Sequence, residues 1–339
     1  MSSSLHRVKQ QVAIIGSGNW GSAIAKIAAE NAAKHDAFEE EVPMWVFEEQ
    51  VNGKNLTSII NENHENVKYL PGVQQHVKEP RCWYSVYHIN LSPTYVDNLR
   101  EAKVIGAGAF AISLTKGVDV QGDKIKIIAD VIEEELGISC AALSGANIAN
   151  EVALNKFSET TIGYSIKAQG ELWQKLFHTP NFHVQIIEDR AGVSLCGALK
   201  NVVAVAAGFC DGLGWGNNAK AAIMRIGLLE MKSFSMEFFS GVKVNRNVCS
   251  RISGYSRFDH DMFRGRNRLC AEAYVKTGKP FSQLETELLG GQKLQGVATA
   301  QELNTFLKAK GRVEGYPLFS VVYKIAFENL DPAQMTSHL

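Results

Sequence analysis

The stretch CGALKNVVAVAAGFCDG places Lys200 and Asn201 inside a run that is otherwise almost wholly small and apolar. Burying a lysine disfavours its ammonium and turns the amine into a proton acceptor near neutral pH. The alternative is a lysine whose long stem carries its charge to the surface. Lys116 follows the apolar run AFAISLT and precedes Gly117. At the carboxyl end of a parallel strand it would point toward a ligand crevice. Gly16-Ser17-Gly18-Asn19-Trp20-Gly21 has the spacing G-x-G-x-x-G, with an apolar strand before it and a helical pattern after it. In that context Gly16 permits a tight turn, Gly18 lets backbone approach a pyrophosphate, and Gly21 allows close helix packing. The first helical N–H groups then face the anion. Gly265-Arg266-Asn267-Arg268 precedes a further helical pattern, where a guanidinium fork and backbone N–H groups suit a phosphate. Lys293 and Gln295 lie in the glycine-flanked loop GGQKLQG, a segment suited to closing over cofactor phosphates. Asp259, His260 and Asp261 are of metal-ligating type, but no second cluster of such residues accompanies them, so no metal site is predicted.

The elements that must position these groups fall into two regimes. QVAII, VPMWVFEE, AFAISLTKG and CAALSGANIA read as short buried strands, and KIKIIADVIEEELG between the last two reads as a helix. Strand and helix alternate as in a Rossmann-like, doubly wound parallel sheet. Glu48, after Phe47 at the end of the second strand, is the acidic residue that would bond a ribose and prefer NAD to NADP; the alternative is a solvated charge. Beyond about residue 190, four long stretches carry apolar residues at spacings of three and four. The expectation is an α/β fold with a dinucleotide-binding domain over residues 1–190 and an all-helical substrate and catalytic domain over 191–339.

Lysine plus arginine number 35 and aspartate plus glutamate 35, in a chain 45% hydrophobic. This balance excludes a disordered chain and a polyanion-binding protein, so nucleic acid is not an expected partner. No eighteen-residue uninterrupted apolar run and no apolar leader is present, so no membrane partner is expected. The six cysteines contain no C-x-x-C pair and are expected as free thiols of a reducing compartment.

The motifs GSGNWGSAIAKI, MWVFEE, HENVKYLPG, ISLTKG, GANIANEVA, ALKNVVAVAAGFCDGLG, GRNR and GQKLQG follow one another in an order that resembles the cytosolic NAD-dependent glycerol-3-phosphate dehydrogenases over most of the chain. The resemblance implies NAD as cofactor, dihydroxyacetone phosphate and sn-glycerol 3-phosphate as substrates, and a homodimer in the cytoplasm. It implies Lys200 as the proton acceptor, with Lys116, Asn201, Arg266 and Asn267 around the substrate. Gly16, Ser17, Gly18, Asn19, Trp20, Gly21, Phe47, Ala149, Arg266, Lys293 and Gln295 resemble the family's cofactor contacts. A rival within the same architecture is a 3-hydroxy acid dehydrogenase. The ending Ser337-His338-Leu339 is similar to a peroxisomal address, giving an alternative location.

Two segments, residues 81–101 and 247–264, depart from the family pattern. Back-translated and read one base downstream, residues 256–265 can give Ala-Asp-Leu-Ile-Thr-Thr-Cys-Phe-Gly-Gly, and residues 81–88 can give an apolar strand. The expectation is that both are compensated frameshifts, errors in the sequence as written, with genuine divergence as the alternative; an intact mass equal to that of the written chain would refute the frameshifts. If the written residues are real, the alternative function is an inactive dinucleotide-binding protein.

Overall fold

A computed structural model describes residues 9–74, 105–145, 147–239 and 265–339. The two departing segments and the Asp259–Asp261 trio lie outside the described residues. The chain divides into two compact units. The first comprises Met1–Thr115, Ala129–Leu143 and Asn147–Glu188, and the second Lys116–Ile128, Ser144–Ala146 and Asp189–Leu339.

In the first unit β1 (Ile14–Ile15) pairs in parallel with β2 (Met44–Trp45), and α1 (Asn19–Ala32) leaves the turn after β1. The short hairpin β3 (Gln50–Val51) and β4 (Lys54–Asn55) leads into α2 (Leu56–Asn63). A second sheet has the order β10-β9-β8-β5, built from β5 (Phe110–Ser113), β8 (Ser139–Ser144), β9 (Ser158–Gly163) and β10 (Phe182–Ile187). Its pairs β5/β8 and β9/β10 are parallel. Such strands are covered on both faces, which is why β8 is buried from Cys140 through Ser144. Further described helices are α3 (Ile128–Leu136), α4 (Ala149–Ala153) and α5 (Lys167–Phe177). Ile24, Ile27 and Ala28 of α1 share one core with Ile112, Leu143, Ile162 and Trp173. β9 was not legible as a strand because its buried positions include Thr160 and Thr161, which look polar in sequence.

Among its described residues the second unit is helical apart from the antiparallel hairpin β6 (Val118–Gln121) and β7 (Lys124–Ile127). The sequence reading put Lys124–Ile127 in a helix; the structure places these residues in β7, and α3 begins only at Ile128. Alternation of lysine and isoleucine in KIKI is the strand period, and the tight link at Gly122, with φ +64°, lets it pair back on VDVQ. The described α-helices of this unit are α6 (Arg190–Gly212), α7 (Asn217–Phe238), α8 (Arg266–Thr277), α9 (Phe281–Leu289), α10 (Gln295–Lys310) and α11 (Pro317–Phe327). α6 is capped by Asp189, whose carboxylate accepts from Gly192 N at 2.7 Å. It is long and apolar enough to span a membrane by composition, but that apolar stretch is entirely buried inside the protein.

Cys140, Cys210 and Cys270 carry thiols. Cys196 is disulfide-bonded, which corrects the expectation of thiols throughout. Pairing depends on which sulfurs the fold brings into contact, and sequence spacing alone does not show this.

A buried carboxylate ties α7 to α11. Glu230 accepts from Leu318 N at 2.7 Å and Phe319 N at 3.1 Å, satisfying first-turn donors of α11. Burial pushes its pKa up to about 7, against the pull of those two bonds. The folded state therefore holds this proton to higher pH than the unfolded chain does. The stabilisation it contributes is complete below about pH 4.5 and is lost as pH rises through about 7. Glu230→Gln, which mimics the protonated form, is expected to gain about 1–3 kcal/mol on the native protein between pH 4.5 and 8. Denaturant unfolding of both proteins at those two pH values checks this, and a pH-independent difference would refute it.

Candidate functional site

The first unit holds the glycine turn that the sequence singles out. Gly16 has φ +105°, a conformation that side chains rarely adopt. A Cβ on Gly21 would lie 1.8 Å from the Gly16 carbonyl oxygen, so only glycine lets α1 start this close to the turn. Asn66 holds the turn by donating from Nδ2 to Ser17 O at 2.8 Å and to Ser22 Oγ at 2.9 Å. Ser22 Oγ in turn donates to Ser17 O at 3.0 Å. Gly18 caps α1 without a side-chain bond, so the cap leaves the first-turn N–H groups to other acceptors. Asn19 Oδ1 is buried there with no hydrogen-bond partner among the described residues. Trp20 packs against the core of the unit. A helix start capped by glycine and a cradle that a Cβ would fill suit a dinucleotide pyrophosphate, while the orphaned Asn19 oxygen is an acceptor for a donor group of a ligand.

Phe47 is exposed, with its ring centroid 6.5 Å from that of Trp45 at the end of β2. Ala149 opens α4 and is buried. Glu48 is otherwise engaged. Its carboxylate accepts from Thr57 N at 3.3 Å and from Thr57 Oγ1, in the first turn of α2. The hydroxyl bond of Thr57 holds the Glu48 pKa below the usual carboxylate value. The structure thus gives Glu48 a helix-capping part, which sequence spacing could not reveal because Thr57 lies nine residues on.

The second unit gathers the reactive side chains. Lys200 is only 4% exposed within α6, so it does not reach the surface by its stem. Its Nζ donates to the Gly145 carbonyl at 2.7 Å. Asn201, also buried, donates from Nδ2 to Gly197 O at 3.1 Å and accepts at Oδ1 from Asn267 Nδ2 at 3.1 Å. Asn267 Oδ1 accepts from Gly296 N at 2.9 Å. Two carboxamides thus bridge α6, α8 and the start of α10. Each Nδ2 retains a second hydrogen for a ligand. A Cβ on Gly296 would lie 2.4 Å from Asn201 O, so α10 begins in close contact with α6.

Arg266, at the first position of α8, is exposed, and its Nη1 bonds Gln292 Oε1. Arg268 is a structural neighbour: it pairs with Asp211 at 2.9 Å and Glu272 at 2.6 Å, and Asp211 also holds Lys220 at 2.7 Å. Lys293 is well exposed and pairs with Glu285 at 2.8 Å, while Glu285 also accepts from Leu294 N at 2.9 Å. Glu285 thereby staples the loop that precedes α10, a partner that sequence reading did not single out. Gln295 opens α10, and a Cβ on Gly117, the neighbour of half-buried Lys116, would lie 3.8 Å from its Oε1. The Lys116 segment and the start of α10 therefore run side by side. The Cys210 thiol in α6 is pushed up to about 12, first by burial and then by Asp211, so it is no nucleophile.

Chemically, this second group offers a buried amine, two amides and an exposed guanidinium. That set can move a proton at an oxygen and grip a phosphate. Comparison with known proteins adds a family. The C-terminal sequence model of NAD-dependent glycerol-3-phosphate dehydrogenases matches residues 189–337. The N-terminal model matches residues 11–79 and 92–169, and its break overlaps the first departing segment. The human cytoplasmic glycerol-3-phosphate dehydrogenase [NAD(+)] is 48% identical over 331 residues, 94% of each chain. A solved glycerol-3-phosphate dehydrogenase from Saccharomyces cerevisiae is 40% identical with a TM-score of 0.87, covering 97% of this chain and 99% of that one. One from Plasmodium falciparum is 37% identical with a TM-score of 0.88, covering 98% and 95%.

Proposed function

The chain belongs to the family of NAD-dependent glycerol-3-phosphate dehydrogenases, and on that premise we propose that it interconverts dihydroxyacetone phosphate and NADH with sn-glycerol 3-phosphate and NAD, using Lys200 as its proton donor and acceptor. The observation that carries the assignment of Lys200 is its burial in α6 with Nζ held by the Gly145 carbonyl at 2.7 Å. NADH, when bound, supplies the hydride, which is the cofactor's own chemistry. In reduction the Lys200 ammonium gives a proton to the nascent C2 alkoxide, and in oxidation the neutral amine takes the proton from the C2 hydroxyl. Lys116 and Asn201 orient that oxygen. Arg266 and Asn267 hold the phosphate, whose binding fixes the reacting carbon in place.

The residues proposed to hold NAD are Gly16–Gly21 around the pyrophosphate, with Phe47, Ala149, Arg266, Lys293 and Gln295 contributing further contacts. The relatives' names support a cytoplasmic location. A homodimer is the assembly expected.

NADH oxidation followed at 340 nm with dihydroxyacetone phosphate tests the activity; NADH binding without turnover would overturn it in favour of the inactive reading. Arg266→Ala tests the phosphate grip. Loss of a charge-assisted bond of about 1.5–3 kcal/mol corresponds to a fall of roughly 10–150-fold in kcat/KM for dihydroxyacetone phosphate. With NADH saturating for each protein, turnover of phosphate-free dihydroxyacetone should change little, and an equal fall on both substrates would refute the grip.

A further inference from the structure

Lys200 reaches the Gly145 carbonyl only because the end of β8 lies against α6, and a single missing side chain permits this. A Cβ on Gly197 would stand 2.5 Å from Ser144 Oγ and 3.2 Å from Ser144 Cβ. Ser144 is buried, and its hydroxyl has no hydrogen-bond partner among the described residues, so packing rather than bonding sets its place. The next residue, Gly145, is the acceptor for Lys200 Nζ. Gly197 lies three residues before Lys200 in α6, on the same face of the helix. Its own carbonyl accepts from Asn201 Nδ2 at 3.1 Å. One residue without a side chain thus serves both members of the Lys200-Asn201 pair.

We propose that Gly197 is a positioning residue for proton transfer: it seats Ser144 against α6 and so fixes Gly145 at bonding distance from the Lys200 amine. This rests on the assignment of Lys200 made above. A methyl group at 197 displaces the Ser144 hydroxyl, and with this residue buried against α6 we take the relief to fall on Ser144 as a whole, a retreat of up to about 1 Å that carries Gly145 with it. Lys200 then loses its anchoring acceptor, and an error of about 1 Å in a reacting group costs on the order of 100-fold in rate.

The test uses the full-length enzyme with steady-state kinetics, NADH titration and thermal unfolding. Gly197→Ala is expected to lower kcat by roughly 10–100-fold, with KM for NADH within about threefold of the parent. Adding Ser144→Ala removes the oxygen that the methyl group meets, leaving Cβ at 3.2 Å, and should recover most of the lost kcat. A folded double variant that stays tenfold or more below the parent overturns the proposal, and this outcome remains readable even if Gly197→Ala alone fails to fold. In a Lys200→Gln background, Gly197→Ala should produce no further fall in kcat, whereas a purely structural lesion would still add its own. Near-normal turnover in Lys200→Gln would sink the reading of Lys200 itself. A dead Lys200→Gln beside a near-normal Gly197→Ala would sink only the positioning role.

Discussion

Replacing Lys200 by alanine is expected to lower kcat for dihydroxyacetone phosphate by about two to four orders of magnitude, the usual contribution of a positioned general acid or base. NADH affinity should stay within about threefold. The split follows from where the side chain sits. Lys200 belongs to the second unit, while the glycine turn that would take the pyrophosphate is built wholly from the first. Its Nζ is committed to the Gly145 carbonyl at 2.7 Å, and its neighbour Asn201 to Gly197 and Asn267. Alanine would leave a cavity in a helix that is buried from Ala191 to Cys210, so some loss of stability accompanies the loss of rate. Thermal unfolding separates the two, because a folded variant with retained turnover would refute the role of Lys200. Lys200→Arg is expected to be nearly as inactive: a guanidinium does not give up its proton at neutral pH.

The second large effect concerns Gly21. Gly21→Val would place a Cβ 1.8 Å from the Gly16 carbonyl oxygen, far inside any contact that atoms tolerate. The neighbour is backbone, so no side-chain rotation can relieve the clash, and α1 must move away from the turn. That displaces the N–H groups of the first turn and the buried Asn19 Oδ1. NADH affinity is expected to fall by at least 100-fold, about 2.7 kcal/mol or more. Fluorescence titration of NADH measures this directly. Affinity within a few-fold of the parent in a folded Gly21→Val protein would remove the glycine turn from the cofactor site. At Gly16 any L side chain is expected to strain the turn, since its φ is +105°.

The parts that were legible in the amino-acid order are those governed by neighbours a few residues apart. G-x-G-x-x-G between an apolar strand and a helical pattern specified the turn after β1, because backbone sterics there act within six residues. The apolar setting of Lys200 and Asn201 specified a buried pair, because a 23-residue helix with so few polar positions has to be enclosed. Tertiary structure decided what depends on partners distant in the chain. It gave the Glu48 carboxylate to Thr57 rather than leaving it at the strand end. It moved the hairpin β6–β7 from the first half of the chain into the second unit. It joined Asn201, Asn267 and Gly296, residues up to 95 positions apart, through two amides that look interchangeable with any others in sequence. Hydrogen bonds and close packing are satisfied in space, so residue types could nominate Lys200, whereas only the fold could supply Gly145, Ser144 and Gly197 around it.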